Sequence, residues 1–131
     1  MIRSFSIAAA AVGLAVALSG CAKKIEAPYD KGVCWHAVPL KNGTVRFNKL
    51  SVNQPSLEYC AGQLEAMRLK FVGLGGSSEN LMGAYQGSFI FLLPEGVFVS
   101  QTFDGPRYIA LVRTGDGKLT AVGAASPTIS Q

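Results

Sequence analysis

The stretch SLEYCAGQLEAMRLKFVG, residues 56–73, decides the fold. Leu57, Cys60, Leu64, Met67 and Phe71 recur at spacings of three and four, which puts them on one stripe of a helix. Gln54-Pro55 leads in, and the Ser56 hydroxyl can accept from an otherwise orphaned backbone N–H as the N-cap. Glu58 falls in the first turn and Arg68 and Lys70 in the last, as the helix dipole favours, and Gly73 fits a C-terminal stop. Gly62 costs about 1 kcal/mol against alanine inside a helix, and close packing is the reason that suggests itself. On this pattern Glu58 and Glu65 lie on the solvent side.

Such a stripe must be laid on something, and the flanking sequence supplies strands. VCWHAV (33–38) is β-branched and aromatic. Pro39-Leu40-Lys41-Asn42-Gly43 carries turn chemistry, and in TVRFNKLSV (44–52) Val45 and Phe47 alternate with polar neighbours, so a hairpin is expected. GLGGSSEN (73–80) reads as a flexible loop; it lacks the Gly-Lys-Ser/Thr ending of a phosphate-binding loop.

From Gly83 the pattern is an antiparallel meander: one long strand over 84–93, then 97–103, 107–113 and 118–123. The turns between them are Pro94-Glu95-Gly96, Asp104-Gly105-Pro106 and Thr114-Gly115-Asp116-Gly117. SFIFLL (88–93) is too short to span a membrane and reads as a central strand covered on both faces. The expected fold is α+β: an antiparallel sheet of about six strands, ordered strand–strand–helix–four strands, with one helix on one face.

The N-terminus has another character. Arg3 is the only charge before Lys23, and residues 7–18 are apolar apart from Gly13, the length of a secretory h-region. The run ends in Leu18-Ser19-Gly20-Cys21. Over residues 1–21 the chain resembles the bacterial lipoprotein precursors, whose lipobox has the form Leu-small-small-Cys. The resemblance implies cleavage before Cys21, acylation of its thiol and usually of its new amine, and anchorage in a lipid bilayer through those fatty acyl (palmitate) chains. Two or more chains hold a protein firmly, whereas one holds it reversibly. Ala22, rather than Asp, follows the lipidated residue, which implies the periplasmic face of an outer membrane. Residues 21–31 then read as a lipidated tether, 32–123 as one globular domain and 124–131 as a flexible tail.

Export gives the cysteines meaning. Lipid takes Cys21 and leaves Cys34 and Cys60 as a pair in an oxidising compartment, where a disulfide is expected. The helix pattern supports the pairing, because the stripe that must face the sheet carries Cys60 in its middle and Cys34 lies on a strand. The chain-entropy model gives about 3.5 kcal/mol for a loop of that size.

Little else points to chemistry. The net charge of +4, with Arg3 lost in the signal, is too mild for nucleic acid. His36 is the only histidine, so any Ser/His or Cys/His catalysis must use it. Cys34, His36 and Cys60 could offer three metal ligands, but the spacing matches no closed metal site and a disulfide beside a strand histidine is the stronger reading. Asp104 and Asp116 sit in turns that favour aspartate. No catalytic residue, metal or cofactor is therefore expected. Trp35 points away from Cys34 on a regular strand and is the candidate contact residue. Lys41, Arg46, Lys49, Arg107, Arg113 and Lys118 form a basic patch only if their strands are neighbours. The expected function is a non-catalytic envelope lipoprotein that binds an unknown envelope protein or polymer or supports an assembly. The alternative is an inhibitor or protective binder of a periplasmic enzyme such as a lysozyme.

Overall fold

Gln86 and Gly87 both have positive φ, 42° and 86°, and they divide the expected long strand in two. Two consecutive positive φ values make the tight turn that matches the twist of a hairpin. Glutamine rarely sits there, so the sequence hid the turn. Its side chain is held in place: Gln86 Oε1 accepts from the Gly32 N–H at 2.8 Å. Gly87 is required for space as well, since a Cβ would meet the Tyr29 ring at 2.5 Å.

The computed structural model describes residues 24–76 and 80–122 of the 131. The elements are β1 (Cys34–Pro39), β2 (Val45–Ser51), α1 (Leu57–Gly73), β3 (Leu81–Tyr85), β4 (Ser88–Leu93), β5 (Gly96–Ser100), β6 (Tyr108–Arg113) and β7 (Leu119–Ala121). Among the described residues, one helix lies on an open antiparallel sheet of seven strands, in the order β2-β1-β3-β4-β5-β6-β7. The fold is α+β as expected, and the extra strand comes from the Gln86-Gly87 turn. None of the described helices is long and apolar enough to cross a membrane. The signal segment, Cys21, residues 77–79 of the expected loop and the 124–131 tail lie outside the described residues.

Local chemistry accounts for the other turns. Asn42 Oδ1 accepts from the Thr44 N–H at 3.0 Å and from its hydroxyl at 2.6 Å, closing the β1–β2 hairpin. Strand β5 stops at Ser100, before the expected Phe103, because the Ser100 hydroxyl donates to the Thr102 carbonyl (2.6 Å) and accepts from the Thr102 N–H (3.2 Å). That bend turns Phe103 back onto Phe89, with ring centroids 5.8 Å apart.

The sheet is covered on both faces. On the helix face, Cys34, Tyr85, Ile90, Leu92, Val97 and Leu111 pack with Cys60, Ala61 and Leu64 of α1. Leu64 lies so close to β3 that a Cβ on Gly83 would meet its Cδ1 at 2.3 Å and the Trp35 carbonyl oxygen at 2.8 Å. The second face carries Ala37, Met82, Ala84, Phe89 and Phe91, with Trp35, Phe47, Phe98 and Phe103 around them. Alternate residues of β4 feed the two faces, so both sides of this central strand are buried.

Part of the cover on the second face comes from the expected tether. Ala27 is buried there and Ile25 is half-buried beside it. The Gly87 N–H donates to the Pro28 carbonyl at 2.8 Å. Within the expected tether, the described chain is thus packed on the sheet from Ile25, because its apolar side chains have an aromatic surface to bury.

Helix α1 departs from its expected stripe at two points. Phe71 is 45% exposed, since the helix runs past the sheet. Glu65, expected in solvent, is 1% exposed. The buried sector lies between the Cys60–Leu64 row and the Ala61–Glu65 row, so the apolar positions alone misplace its centre. Gly62 is not closely packed either; it is exposed and a Cβ there would meet nothing within 4 Å.

Candidate binding surface

A disulfide joins Cys34 and Cys60, with Cα atoms 5.3 Å apart. It ties β1 to the second turn of α1 at the point where the helix stripe first meets the sheet. Both thiols are consumed, so neither cysteine can serve as a thiol nucleophile or join His36 in a metal site in this state. Among the described residues no other group of three His, Cys, Asp or Glu could hold a metal ion.

The buried acid makes the main polar contact between helix and sheet. Glu65 accepts from Arg68 Nε (2.6 Å) and Nη2 (3.0 Å). It also accepts from Arg113 Nε (2.6 Å) and Nη2 (3.2 Å) on β6. Arg113 Nη1 then donates to the Leu93 carbonyl at 2.6 Å, so the guanidinium links α1, β4 and β6. Burial pushes the Glu65 carboxyl pKa up, but the hydrogen bonds and charges of the two arginines outweigh it, and the pKa lies below its ordinary value. Sequence reasoning missed this pair. The Glu65–Arg68 spacing is visible in the helix, but nothing local reveals that Arg113, far along the chain, meets the same carboxylate.

The basic residues do not form one patch. Arg46 and Lys49 lie on β2 at one edge, whereas Arg113 lies on β6, five strand spacings away, or about 24 Å. Arg113 is also committed to Glu65.

Trp35 lies on the face opposite the helix, with Ala37. It is half-buried among aromatic neighbours, and Lys49 Nζ sits 5.8 Å from its ring centroid. It is therefore packed against the second face and is not a free aromatic platform.

The concave surface lies farther down the same strand. Pairing between β1 and β3 ends at Ala37–Met82, and beyond it the two strands part. A cleft of about 620 Å³ opens there, lined by Val38 and Pro39 on one side and Asn80 and Leu81 on the other. Phe91, Phe103 and Arg107 continue it over the second face, and His36 and Phe71 border it from the helix side. The Arg107 guanidinium carbon stands 3.6 Å from the Phe91 ring centroid, a cation–π stack that fixes the arginine at the cleft wall. Partial burial, and then the positive charge of Arg46, lower the His36 pKa, so its imidazole is neutral at pH 7 and can donate and accept. The cleft thus offers apolar walls, one fixed cation and one neutral imidazole. Those groups suit binding an apolar segment that carries a hydrogen-bonding or anionic group.

No protein-family model matches the sequence, no curated protein matches it, and no solved structure matches the fold. The functional reading therefore rests on the chain's own residues.

Proposed function

We propose that this chain is the precursor of a bacterial envelope lipoprotein, anchored through acylated Cys21 to the periplasmic face of the outer membrane. Its domain is a non-catalytic module that binds another envelope component or supports an assembly. The observation that carries the reading is Leu18-Ser19-Gly20-Cys21 placed directly after the apolar run of residues 7–18. The Cys34–Cys60 disulfide supports it, because such bonds persist in oxidising compartments. The cleft between β1 and β3 is the surface that meets the partner.

Two measurements test this. Cys21→Ala should leave an unprocessed precursor and release any processed protein from membranes; continued processing and sedimentation with membranes would refute the anchor. A photo-crosslinker at Asn80 should capture one stoichiometric envelope component, and Arg107→Glu should abolish the capture while Tyr59→Arg does not. Capture of a hydrolase whose activity the domain blocks would favour the enzyme-inhibitor alternative. Turnover that depends on His36 or on an added metal would overturn the non-catalytic assignment.

A further inference from the structure

The chain packs onto the sheet so soon after Cys21 that an anchor there would hold the chain-entry end of the domain close to the bilayer. Ile25 is half-buried on the second face, four residues beyond Cys21. At full extension those four residues span about 14 Å. The expected ten-residue leash is thus less than half that length before it meets the domain.

Lys24 and Ile25 adjoin Gln101 and Thr102, next to the Gln86-Gly87 turn. The Pro28 carbonyl accepts from Gly87, and the Gly32 carbonyl accepts from the Gln54 N–H at 2.8 Å, just before the start of α1. The Tyr85 hydroxyl donates to the Gln54 carbonyl at 2.6 Å. The entry of the chain, the β3–β4 turn and the start of α1 are therefore gathered at one end of the molecule. Helix α1 runs from there to the other end over 17 residues, about 25 Å. That distance exceeds the reach of the leash.

Resting on the lipoprotein reading above, we infer that the domain stands on the bilayer with the Tyr29–Gly87 end toward the lipid. The cleft mouth at Pro39 and Asn80 and the end of α1 face away from it. The surface facing the lipid has interfacial chemistry. Tyr29 is 77% exposed, and Lys24 and Lys31 flank it with ammonium groups suited to anionic headgroups. The exposed apolar residues at the far end of α1, Leu69, Phe71, Val72 and Leu74, would otherwise read as a membrane-inserting patch. The length comparison excludes an upright stance on that patch, with the chain entry lifted a helix length off the membrane holding this molecule. Phe71 among them lines the cleft, and the patch is presented to a partner arriving from the periplasm.

The test uses the full chain, made in a lipoprotein-processing bacterium and reconstituted into phosphatidylethanolamine–phosphatidylglycerol vesicles. Flotation with the vesicles, lost in Cys21→Ala, reports the anchor; failure to float refutes the anchor and the orientation with it. In a Trp35→Phe background, Tyr29→Trp and Val72→Trp place a single indole at opposite ends. Brominated lipids should quench Tyr29→Trp at least twofold more strongly. Equal quenching, or the reverse order, in protein that floats overturns the orientation and leaves the anchor standing. Hydrogen exchange on the unsubstituted chain asks the same question without any variant. Vesicle binding should slow exchange over residues 29–32 and 86–87 and leave 70–76 unchanged; slowing confined to 70–76 overturns the inference.

Discussion

Replacing Glu65 with alanine leaves two guanidinium groups facing a carboxylate-sized gap. The carboxylate accepts four hydrogen bonds, two from Arg68 and two from Arg113. Removing one partner of a buried charge pair costs about 3–5 kcal/mol. The arginine side chains keep 16% and 21% of their exposure, so they can recover some hydration, and the lower end applies: about 3 kcal/mol. A domain of this size has roughly 5–15 kcal/mol in all. At a urea m-value of about 1.5 kcal/mol per molar the midpoint falls by about 2 M. The assay is urea unfolding followed by the fluorescence of Trp35, the only tryptophan.

A pH arm separates the ion pair from simple packing. The folded carboxyl has a lowered pKa, so its stabilisation is complete above the ordinary value of 4.5 and is lost as pH falls through the folded pKa. The stability gap between the native protein and Glu65→Gln should therefore be widest at pH 7 and shrink below about pH 4.5. Titrations elsewhere in the chain are common to both proteins and cancel. A Glu65→Ala loss under about 1 kcal/mol, or a Glu65→Gln gap independent of pH, would refute the assignment of this carboxylate as the ionised link between helix and sheet.

Removing the disulfide with Cys34→Ala and Cys60→Ala together should lower stability by about 3.5 kcal/mol from unfolded-chain entropy, read as a lower melting temperature that added reductant does not lower further. Gly62→Ala should raise stability by about 1 kcal/mol in the same urea assay, since a methyl there meets open space on the outer face of α1; a loss would mean that this face is packed. Gly83→Ala should cost about 1–3 kcal/mol, because the methyl meets Leu64 and the Trp35 carbonyl oxygen. Pairing it with Leu64→Ala should recover part of that cost, though not the share due to the Trp35 backbone.

Much of the architecture was legible in residue order. The β1–β2 hairpin followed from Asn42-Gly43, and α1 from Ser56 and the spacing of Leu57, Cys60 and Leu64. The joining of Cys34 to Cys60 followed from treating Cys21 as spoken for. The missed turn has a specific cause. Gln86 adopts φ 42° because the Gly32 N–H holds its side chain and Tyr29 closes over Gly87, both far away in sequence. The misplaced Glu65 has a similar cause, since its partner Arg113 comes from another strand. The cleft could not be read either, because it exists where pairing of β1 with β3 stops, and no residue type marks that point. Ile25 and Ala27 read as tether because charged residues surround them; their burial depends on the aromatic cluster of the second face, which residues far along the chain assemble.

The open sheet also leaves two edges, each a row of backbone groups able to pair with another chain. On one edge β7 is only three residues long. On the other, β2 carries Arg46 and Lys49 among exposed positions. A short strand and a charged strand are two of the ways by which proteins discourage edge-to-edge pairing. The same strands that complete the sheet therefore keep neighbouring copies apart, and neutralising Arg46 and Lys49 together should show itself first as self-association rather than as loss of fold.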